Sequence, residues 1–174
     1  MDFRLDDALA LLARTPAALD ALLRGLPEAW VRTTEGPGTW SAYDVVGHLV
    51  HAEEDDWMPR VHVLLDHGQA QPFAPFDRFG MFEKAQGRTL ADLLDAFAAR
   101  RAESLDVLRS LALGPDALAR CGTHPAFGSV TLGQLIATWA VHDLGHLAQI
   151  ARVLAHPYDA AVGPWKAYLS ILTR

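Results

Sequence analysis

The sequence is poor in the features that mark secreted, membrane-spanning or nucleic-acid-binding proteins. It has a single cysteine, Cys121, in 174 residues, which excludes an intramolecular disulfide and fits a reducing compartment. Its net charge is -6, so no basic face is available for nucleic acid. No stretch approaches the roughly 18 uncharged apolar residues of a membrane helix, and the acidic start lacks a signal-peptide pattern. We therefore expect a soluble cytoplasmic protein with no nucleic-acid or membrane partner.

β-Branched residues are also scarce, while Leu and Ala are abundant, and this balance favours helices over sheets. Residues 3–23 have a helical pattern that is either split into two short helices or kinked at Pro16. Three capping boxes mark the starts of further helices. These helices are predicted from Ser41 to about Asp66, from Thr89 to about Leu111 and from Thr131 to about His156.

The remaining segments are predicted to be connections. Pro59 should kink or break the second long helix. Residues 67–80 predict a long loop, and residues 113–130 a loop with at most a short helix or hairpin. A short terminal helix is expected near 165–173. Together these elements predict an all-α four-helix bundle with long loops, formed by one domain over residues 1–174.

Two histidines, His142 and His146, lie four residues apart in the last predicted helix. Residues at this spacing project side by side, so both imidazoles can approach one metal ion. The spacing also fits two hydrogen-bonded histidines that line a wet groove. The second long helix supplies candidates for a third ligand, His48 and His51, and His48 lies beside an apolar stripe that faces the bundle. His51 is turned about 60° further toward solvent.

An acidic run, EEDD at 53–56, follows in the second helix. On a helical wheel Asp55 alone returns to within about 20° of His48, so most of the run is predicted to be a solvated face. Asp143 lies on the apolar side of the last helix and needs a partner if it is buried. A backbone N–H, or a basic or aromatic donor, would serve, and a structural role is favoured over a catalytic one.

The segments GTWSAYDVVGHLVHAE and HDLGHLAQI resemble the two histidine motifs of the DinB/YfiT-like superfamily, and the similarity covers nearly the whole chain. The resemblance implies a four-helix bundle with a divalent metal held by His48, His142 and His146. Three histidines leave coordination positions open, as in catalytic zinc sites, and nickel or iron would also accept imidazoles. The resemblance also implies a homodimer. Candidate contacts on the first and third helices are Phe3, Leu11, Phe97 and Leu108.

Members of this superfamily include transferases and isomerases that use thiols such as bacillithiol or mycothiol. The resemblance therefore favours an S-transferase, in which a metal-activated thiolate attacks a small electrophile in a Phe-lined pocket. Two alternatives stay open. One is a metal-dependent hydrolase, and the other is a non-catalytic metal- or small-molecule-binding module linked to stress responses.

Other residues are given roles within these hypotheses. Asp55 would act as a base or orient His48, and Gln149 would hydrogen-bond the bound ligand. The segment 71–82, rich in Pro and Phe, would be either a lid or a stiff packed connection.

A competing hypothesis is cysteine catalysis by Cys121 with His124. It is disfavoured because no helix start follows the thiol to stabilise a thiolate. We expect a buried, inert thiol and a histidine in a turn. The remaining histidines are predicted to lie on the surface or in loops: His62, His67 and His156.

Overall fold

The computed structural model describes residues 3–173 of the chain. In chain order its helices and strands are α1 (Leu5–Leu12), α2 (Thr15–Leu23), α3 (Glu28–Val31), α4 (Ala42–Ala52), α5 (Met58–His67), α6 (Met81–Ala85), α7 (Leu90–Ser110), α8 (Pro115–Leu118), β1 (Cys121–His124), β2 (Gly128–Thr131) and α9 (Leu132–Ala155). A π-helical turn, Glu53–Trp57, joins α4 to α5. Short 3-10 turns cover Gly68–Ala70, His156–Tyr158, Gly163–Tyr168 and Ser170–Leu172.

The predicted four-helix bundle is confirmed. Its first rod is α1 followed by α2, and its second is α4 followed by α5. The third rod is α7 and the fourth is α9. α4 packs against both α7 and α9. α1 packs against α9, while α2 packs against α7. The first rod is two short helices, and Pro16 lies in the first turn of α2, where a missing N–H costs nothing. Over residues 3–173, no helix is both long and apolar enough to cross a membrane.

All three predicted capping boxes are formed. In each box the side chain of the cap residue accepts the backbone N–H of the residue three positions on. The side chain of that residue in turn accepts the backbone N–H of the cap residue. The three cap residues are Ser41, Thr89 and Thr131. Each cap satisfies N–H groups that the first helical turn leaves unpaired, which stabilises a helix by about 1 kcal/mol. The local sequence therefore sets the starts of α4 and α9, the two helices that carry the three predicted histidine ligands.

Three segments add detail to the expected bundle. The loop at 113–130 contains α8 and most of an antiparallel hairpin, in which Cys121 pairs with Thr131. The terminal segment forms 3-10 turns rather than an α-helix. The second rod is not broken at Pro59, which lies in the first turn of α5. The irregular backbone is instead in the π-helical turn that precedes α5.

The core consists of two hydrophobic clusters with a charged residue between them. One cluster includes Trp139 and the other includes Phe97. The guanidinium carbon of Arg101 lies 4.9 Å from the ring centroid of Phe97 and 5.2 Å from that of Trp139. Phe97 and Leu108, expected as candidate dimer contacts, are fully buried because they point into these clusters, so that expectation is wrong for both. Phe3 and Leu11 are exposed.

Candidate metal centre

Three histidine rings converge between α4 and α9. The Nε2 atoms of His48 and His142 are 3.2 Å apart, and those of His142 and His146 are 3.0 Å apart. Nitrogen ligands at about 2.0 to 2.1 Å from one tetrahedral ion lie about 3.3 Å from each other. The observed spacing is therefore close to that of a single-ion site. The structure brings together all three histidines that the sequence singled out.

Burial keeps two of these imidazoles neutral. His48 is 5% exposed, and burial together with the neighbouring His146 and His142 lowers its pKa to about 3. Burial and the adjacent His142 lower the pKa of His146 to about 4. A neutral imidazole presents a lone pair, which is the form that a metal ion binds.

Gln149 determines which nitrogen of His146 carries the proton. Its Oε1 atom lies 2.9 Å from Nδ1 of His146, and because this oxygen only accepts, Nδ1 must donate. The lone pair of His146 is then on Nε2, the atom that faces His142. Metal-bound histidines are usually oriented in this way by an acceptor on the other ring nitrogen. Gln149 was expected to contact a bound ligand, but the structure places its oxygen on the histidine.

The three-nitrogen cluster fits a cation better than it fits a hydrogen-bonded network. Nε2 of His142 is within hydrogen-bonding distance of two other Nε2 atoms, yet it carries either one proton or one lone pair. It can therefore satisfy only one of these contacts fully. A shared divalent ion would satisfy all three facing nitrogens.

Asp143 faces away from the cluster into a buried ionic network. Its Oδ2 accepts a 2.6 Å hydrogen bond from Arg101, so the predicted basic partner is present. Its Oδ1 lies 3.7 Å from Nδ1 of His142, slightly beyond hydrogen-bonding distance. Burial would raise the pKa of Asp143, but His142 and Arg101 outweigh this and hold the pKa below its ordinary value.

The second carboxylate of this network belongs to Glu53, whose side chain is fully buried. Arg101 donates to it from Nε at 2.9 Å and from Nη2 at 2.6 Å. Ser104 and Trp139 also donate to this carboxylate, at 2.9 and 3.1 Å. Burial nevertheless raises the pKa of Glu53, since desolvation outweighs these contacts.

The expectation that Glu53 lies on a solvated face is wrong, and so is the expectation that His51 turns toward solvent. His51 is 4% exposed, and every residue of α4 except Asp44 is buried. α4 contacts α6, α7 and α9, so it has almost no solvated side. A helical wheel assumes one buried and one exposed face, and this assumption fails for a helix that is surrounded.

The π-helical turn changes the direction of the residues that follow Glu53. A π turn inserts an extra residue, which shifts the following side chains by about 100° relative to a regular helix. Asp56 and Trp57 are buried as a result. Trp57 stacks on Trp139 with ring centroids 5.4 Å apart and meets the edge of His142 at 5.1 Å. The burial of Asp56 was not predicted, although π turns occur often at functional sites.

Asp55 contacts His51 and Lys84. Its Oδ2 lies 3.1 Å from Nδ1 of His51 and 2.6 Å from Nζ of Lys84. Nε2 of His51 lies 2.7 Å from the carbonyl oxygen of Asp77, to which it donates. No contact of Asp55 with His48 is formed in the described chain, so a direct orienting bond to His48 has no support. Asp55 instead belongs to a chain of contacts that ends on the loop at Asp77.

The segment 71–82, called the covering segment below, lies over the histidines. The Phe76 ring is 5.8 Å from that of His48 and 4.8 Å from that of His51. Phe73 is buried, and its N–H donates to the Thr123 carbonyl at 2.9 Å. Phe79 is exposed, but the segment ends in α6, which packs against α4. These contacts favour the packed connection, and the lid stays a prediction.

A pocket of about 520 Å³ adjoins the cluster and includes His48 and His142 in its wall. Its size lies within the roughly 300 to 1,000 Å³ of small-molecule sites. The aromatic part of the wall comes from the π-helical turn, the covering segment and the hairpin: Trp57, Phe73, Phe76 and Phe127. A pocket of about 640 Å³ near Tyr43 and Arg88 includes none of the three clustered histidines in its wall.

Cys121 and His124 differ from their expected environments. Cys121 is partly exposed rather than buried, because it begins the surface strand β1. Its Sγ atom lies 3.7 Å from the Ala119 carbonyl. His124 ends the same strand, stacks on Phe127 at 4.5 Å and lines the pocket, so it is more than a turn residue. His62, His67 and His156 are exposed, as predicted.

In one class of helical bundle, facing helices project polar side chains toward one point of the core and so build an internal ligand site. The three histidines of α4 and α9 give this protein that arrangement. The sequence profile of the DinB superfamily matches residues 11–150, a range that contains all three clustered histidines. The chain belongs to the DinB superfamily. No curated protein matches it.

Two solved structures are similar in fold. YfiT from Bacillus subtilis, described as a probable metal-dependent hydrolase with an unusual four-helix bundle topology, aligns with a TM-score of 0.73 and 20% identity, covering 85% of this chain and 84% of that chain. TT2238, described as a four-helix bundle protein, aligns with a TM-score of 0.55 and 24% identity, covering 84% of this chain and 97% of that chain. At these identities the likeness shows the fold.

Proposed function

We propose that the protein is a divalent-metal-dependent enzyme that acts on a small molecule held in the aromatic pocket. His48, His142 and His146 would hold the ion. The observation that carries the proposal is the mutual approach of three Nε2 atoms, at 3.2 and 3.0 Å, in the wall of a ligand-sized pocket. Structural zinc sites use four protein ligands, whereas three ligands leave a position open for a reactant.

Zinc, nickel and iron all accept imidazole ligands. When bound, such an ion supplies Lewis-acid activation, which lowers the pKa of a water or thiol ligand. The protein's own residues prepare the site. Gln149 holds His146 in the tautomer that presents Nε2, while burial keeps His48 and His146 neutral.

Two nucleophiles suit this site, and they define two forms of the proposal. In thiol transfer, the sulfur of bacillithiol, mycothiol or a similar thiol bonds to an electrophilic carbon, a halide leaves, and the thiol proton passes to solvent. The aromatic wall of the pocket suits an apolar electrophile of this kind. In hydrolysis, a water oxygen bonds to a carbonyl carbon, the ester C–O bond breaks, and the leaving oxygen takes a proton. The description of YfiT as a probable metal-dependent hydrolase supports this second form.

Asp55 has an indirect role in this proposal. Its carboxylate contacts His51, which in turn donates to the Asp77 carbonyl in the covering segment. Asp55 would therefore be a positioning residue for the cover rather than a base at the reacting atoms. The predicted homodimer and the predicted cytoplasmic location remain predictions.

The experiment compares metal-free protein with protein loaded with zinc, nickel or iron(II) in two assays. One follows thiol-dependent loss of 1-chloro-2,4-dinitrobenzene, and the other follows cleavage of 4-nitrophenyl acetate without thiol. We expect one activity to appear only with metal and to fall at least about a hundredfold in His48→Ala, consistent with losing a ligand. His62→Ala, an exposed histidine on α5, is the matched control and should keep both metal and activity.

The pattern of results separates the hypotheses. Turnover that needs both metal and thiol supports the transferase, and ester cleavage that needs metal alone supports the hydrolase. Tight stoichiometric metal binding with neither activity would contradict the enzymatic proposal and favour the non-catalytic module.

A further inference from the structure

The pocket wall beside the histidines holds few polar acceptors. Oδ1 of Asp56 forms an ion pair with Nε of Arg60 at 2.8 Å, although their geometry does not make a hydrogen bond. Oε1 of Gln134 accepts the Thr131 N–H at 2.9 Å. The Thr138 hydroxyl donates to the Gln134 carbonyl at 2.7 Å and keeps its own lone pairs as acceptors.

The donors in the same wall are largely free. Arg78 has no ion pair or hydrogen bond with any residue from 3 to 173, and Arg60 uses only its Nε atom in the pair with Asp56. Nδ1 of His124 accepts the N–H groups of Ala126 and Phe127 at 3.1 and 3.3 Å. The proton of the neutral His124 ring is then on Nε2, which is a donor. Burial lowers the pKa of His124, which favours this neutral form.

The fixed charges of the wall are also unbalanced. Two guanidinium groups, of Arg60 and Arg78, stand against the one carboxylate of Asp56. Arg78 lines the same pocket as His48 and His142. Arg78 is exposed, so water screens part of its charge. The apolar wall on one side of the pocket still strengthens its attraction for an anion relative to open solvent.

We propose that the pocket takes a small molecule that joins an apolar, ring-sized body to one anionic oxygen group, and that Arg78 pairs with that group. The aromatic side chains accommodate the body, and the planar guanidinium fork of Arg78 matches a carboxylate or sulfonate through two parallel hydrogen bonds. This names the substrate class of the site and rests in that respect on the proposed function. Because Arg78 belongs to the covering segment, the anionic group would also link the cover to the bundle.

The test measures binding rather than turnover. Four ligands share a 2-phenylethyl body and differ in the end group: 3-phenylpropanoate, 2-phenylethane-1-sulfonate, 3-phenylpropanamide and 2-phenylethylamine. Their Kd values are measured by calorimetry on metal-free and on zinc-loaded protein. The sulfonate and the metal-free arm are essential, because a carboxylate can also bind zinc directly while a sulfonate is a poor metal ligand.

We expect both anions to bind at least about tenfold more tightly than the amide and the amine in both forms of the protein. Arg78→Gln should remove most of this preference and leave the amide's Kd unchanged. Arg109→Gln removes the same charge from an exposed position on α7, where Arg109 pairs with Asp106, and should change nothing.

Three results would overturn the inference: amide or amine binding as tight as the anions, equal weakening of all four ligands by Arg78→Gln, or a preference for carboxylate alone that appears only with zinc. A preference for both anions that depends on Arg78 would support the inference even if neither enzymatic assay shows turnover. Failure of the proposed function and failure of this inference are thus distinguishable.

Discussion

His142 and Asp143 are neighbours on α9, yet they face opposite kinds of environment. His142 turns toward an open pocket, where it meets two other imidazoles. Asp143 turns into the closed core, where Arg101 pairs it with a second carboxylate, that of Glu53. One region keeps its nitrogens free for an ion, and in the other Arg101 donates to both carboxylates and to the Leu12 carbonyl. Two adjacent residues of α9 thus serve different purposes: His142 belongs to the proposed metal site, and Asp143 belongs to the buried ionic network.

The two regions should respond differently to mutation because they hold their charges differently. The buried network carries one positive and two negative groups, and an unpaired charge in the core is very unfavourable. The histidine cluster buries imidazoles that can stay neutral, so removing one ring leaves no unpaired charge. We therefore expect mutations in the network to lower the free energy of unfolding, and mutations in the cluster to lower metal affinity.

The largest effect is expected for Arg101→Met, which leaves Glu53 and Asp143 buried without their cation. The free energy of unfolding should fall by about 3 to 5 kcal/mol, measured by urea denaturation of the metal-free protein. Arg100→Met is the matched control, since Arg100 is exposed and pairs with Glu54 and Glu103 at the surface. Similar losses for the two variants would contradict a special role for the network.

The next effect is expected for His142→Ala, which removes the central nitrogen of the cluster. Metal affinity should fall by more than about a hundredfold, because a lost ligand costs more than a lost hydrogen bond to a ligand. The metal-free protein should unfold at nearly the same urea concentration as the wild type. A competition titration against a chelator measures the affinity. Unchanged affinity would show that His142 is not a ligand.

A smaller effect is expected for Gln149→Leu, which removes the acceptor that orients His146. Metal affinity should fall by about tenfold, at the lower end of the range for residues that hold a ligand in place. Gln86→Leu, at an exposed position after α6, serves as the control. If both variants bind metal as the wild type does, the contact between Gln149 and His146 does not matter for the site.

The smallest effect is expected for Thr131→Ala, which removes the N-cap of α9 and acts on neither region directly. Stability should fall by about 1 kcal/mol. Metal affinity should stay within twofold of the wild type, since the histidines lie more than two turns further along the helix. A large loss of metal affinity would mean that the cluster depends on how α9 begins, which would weaken the separation described above.

The features that the sequence predicted correctly are local or strongly periodic. The capping boxes at Ser41, Thr89 and Thr131 were found because each needs only four consecutive residues. The convergence of His142 with His146 follows from helical spacing alone. His48 was a candidate because it lies beside the apolar stripe of its helix. The resemblance to known motifs then selected it as the third ligand, since no local rule relates positions in two different helices.

The features that were missed depend on long-range packing. Glu53 is buried only because α7 places Arg101 opposite it, 48 residues further along the chain. Arg101 did leave a signal, since it lies on the same face of α7 as Phe97, Leu105 and Leu108, all of which are buried. A charged residue within an apolar stripe implies a buried partner of opposite charge. The π-helical turn left no such signal in the spacing of the residues.

The central claim is that three imidazoles from two helices bind one divalent ion. X-ray absorption spectroscopy of the protein loaded with one equivalent of zinc tests it most directly. The account predicts three imidazole nitrogens at about 2.0 to 2.1 Å, with fewer in His48→Ala. A sulfur ligand at about 2.3 Å, which would implicate Cys121, or a shell that His48→Ala leaves unchanged, would contradict the account.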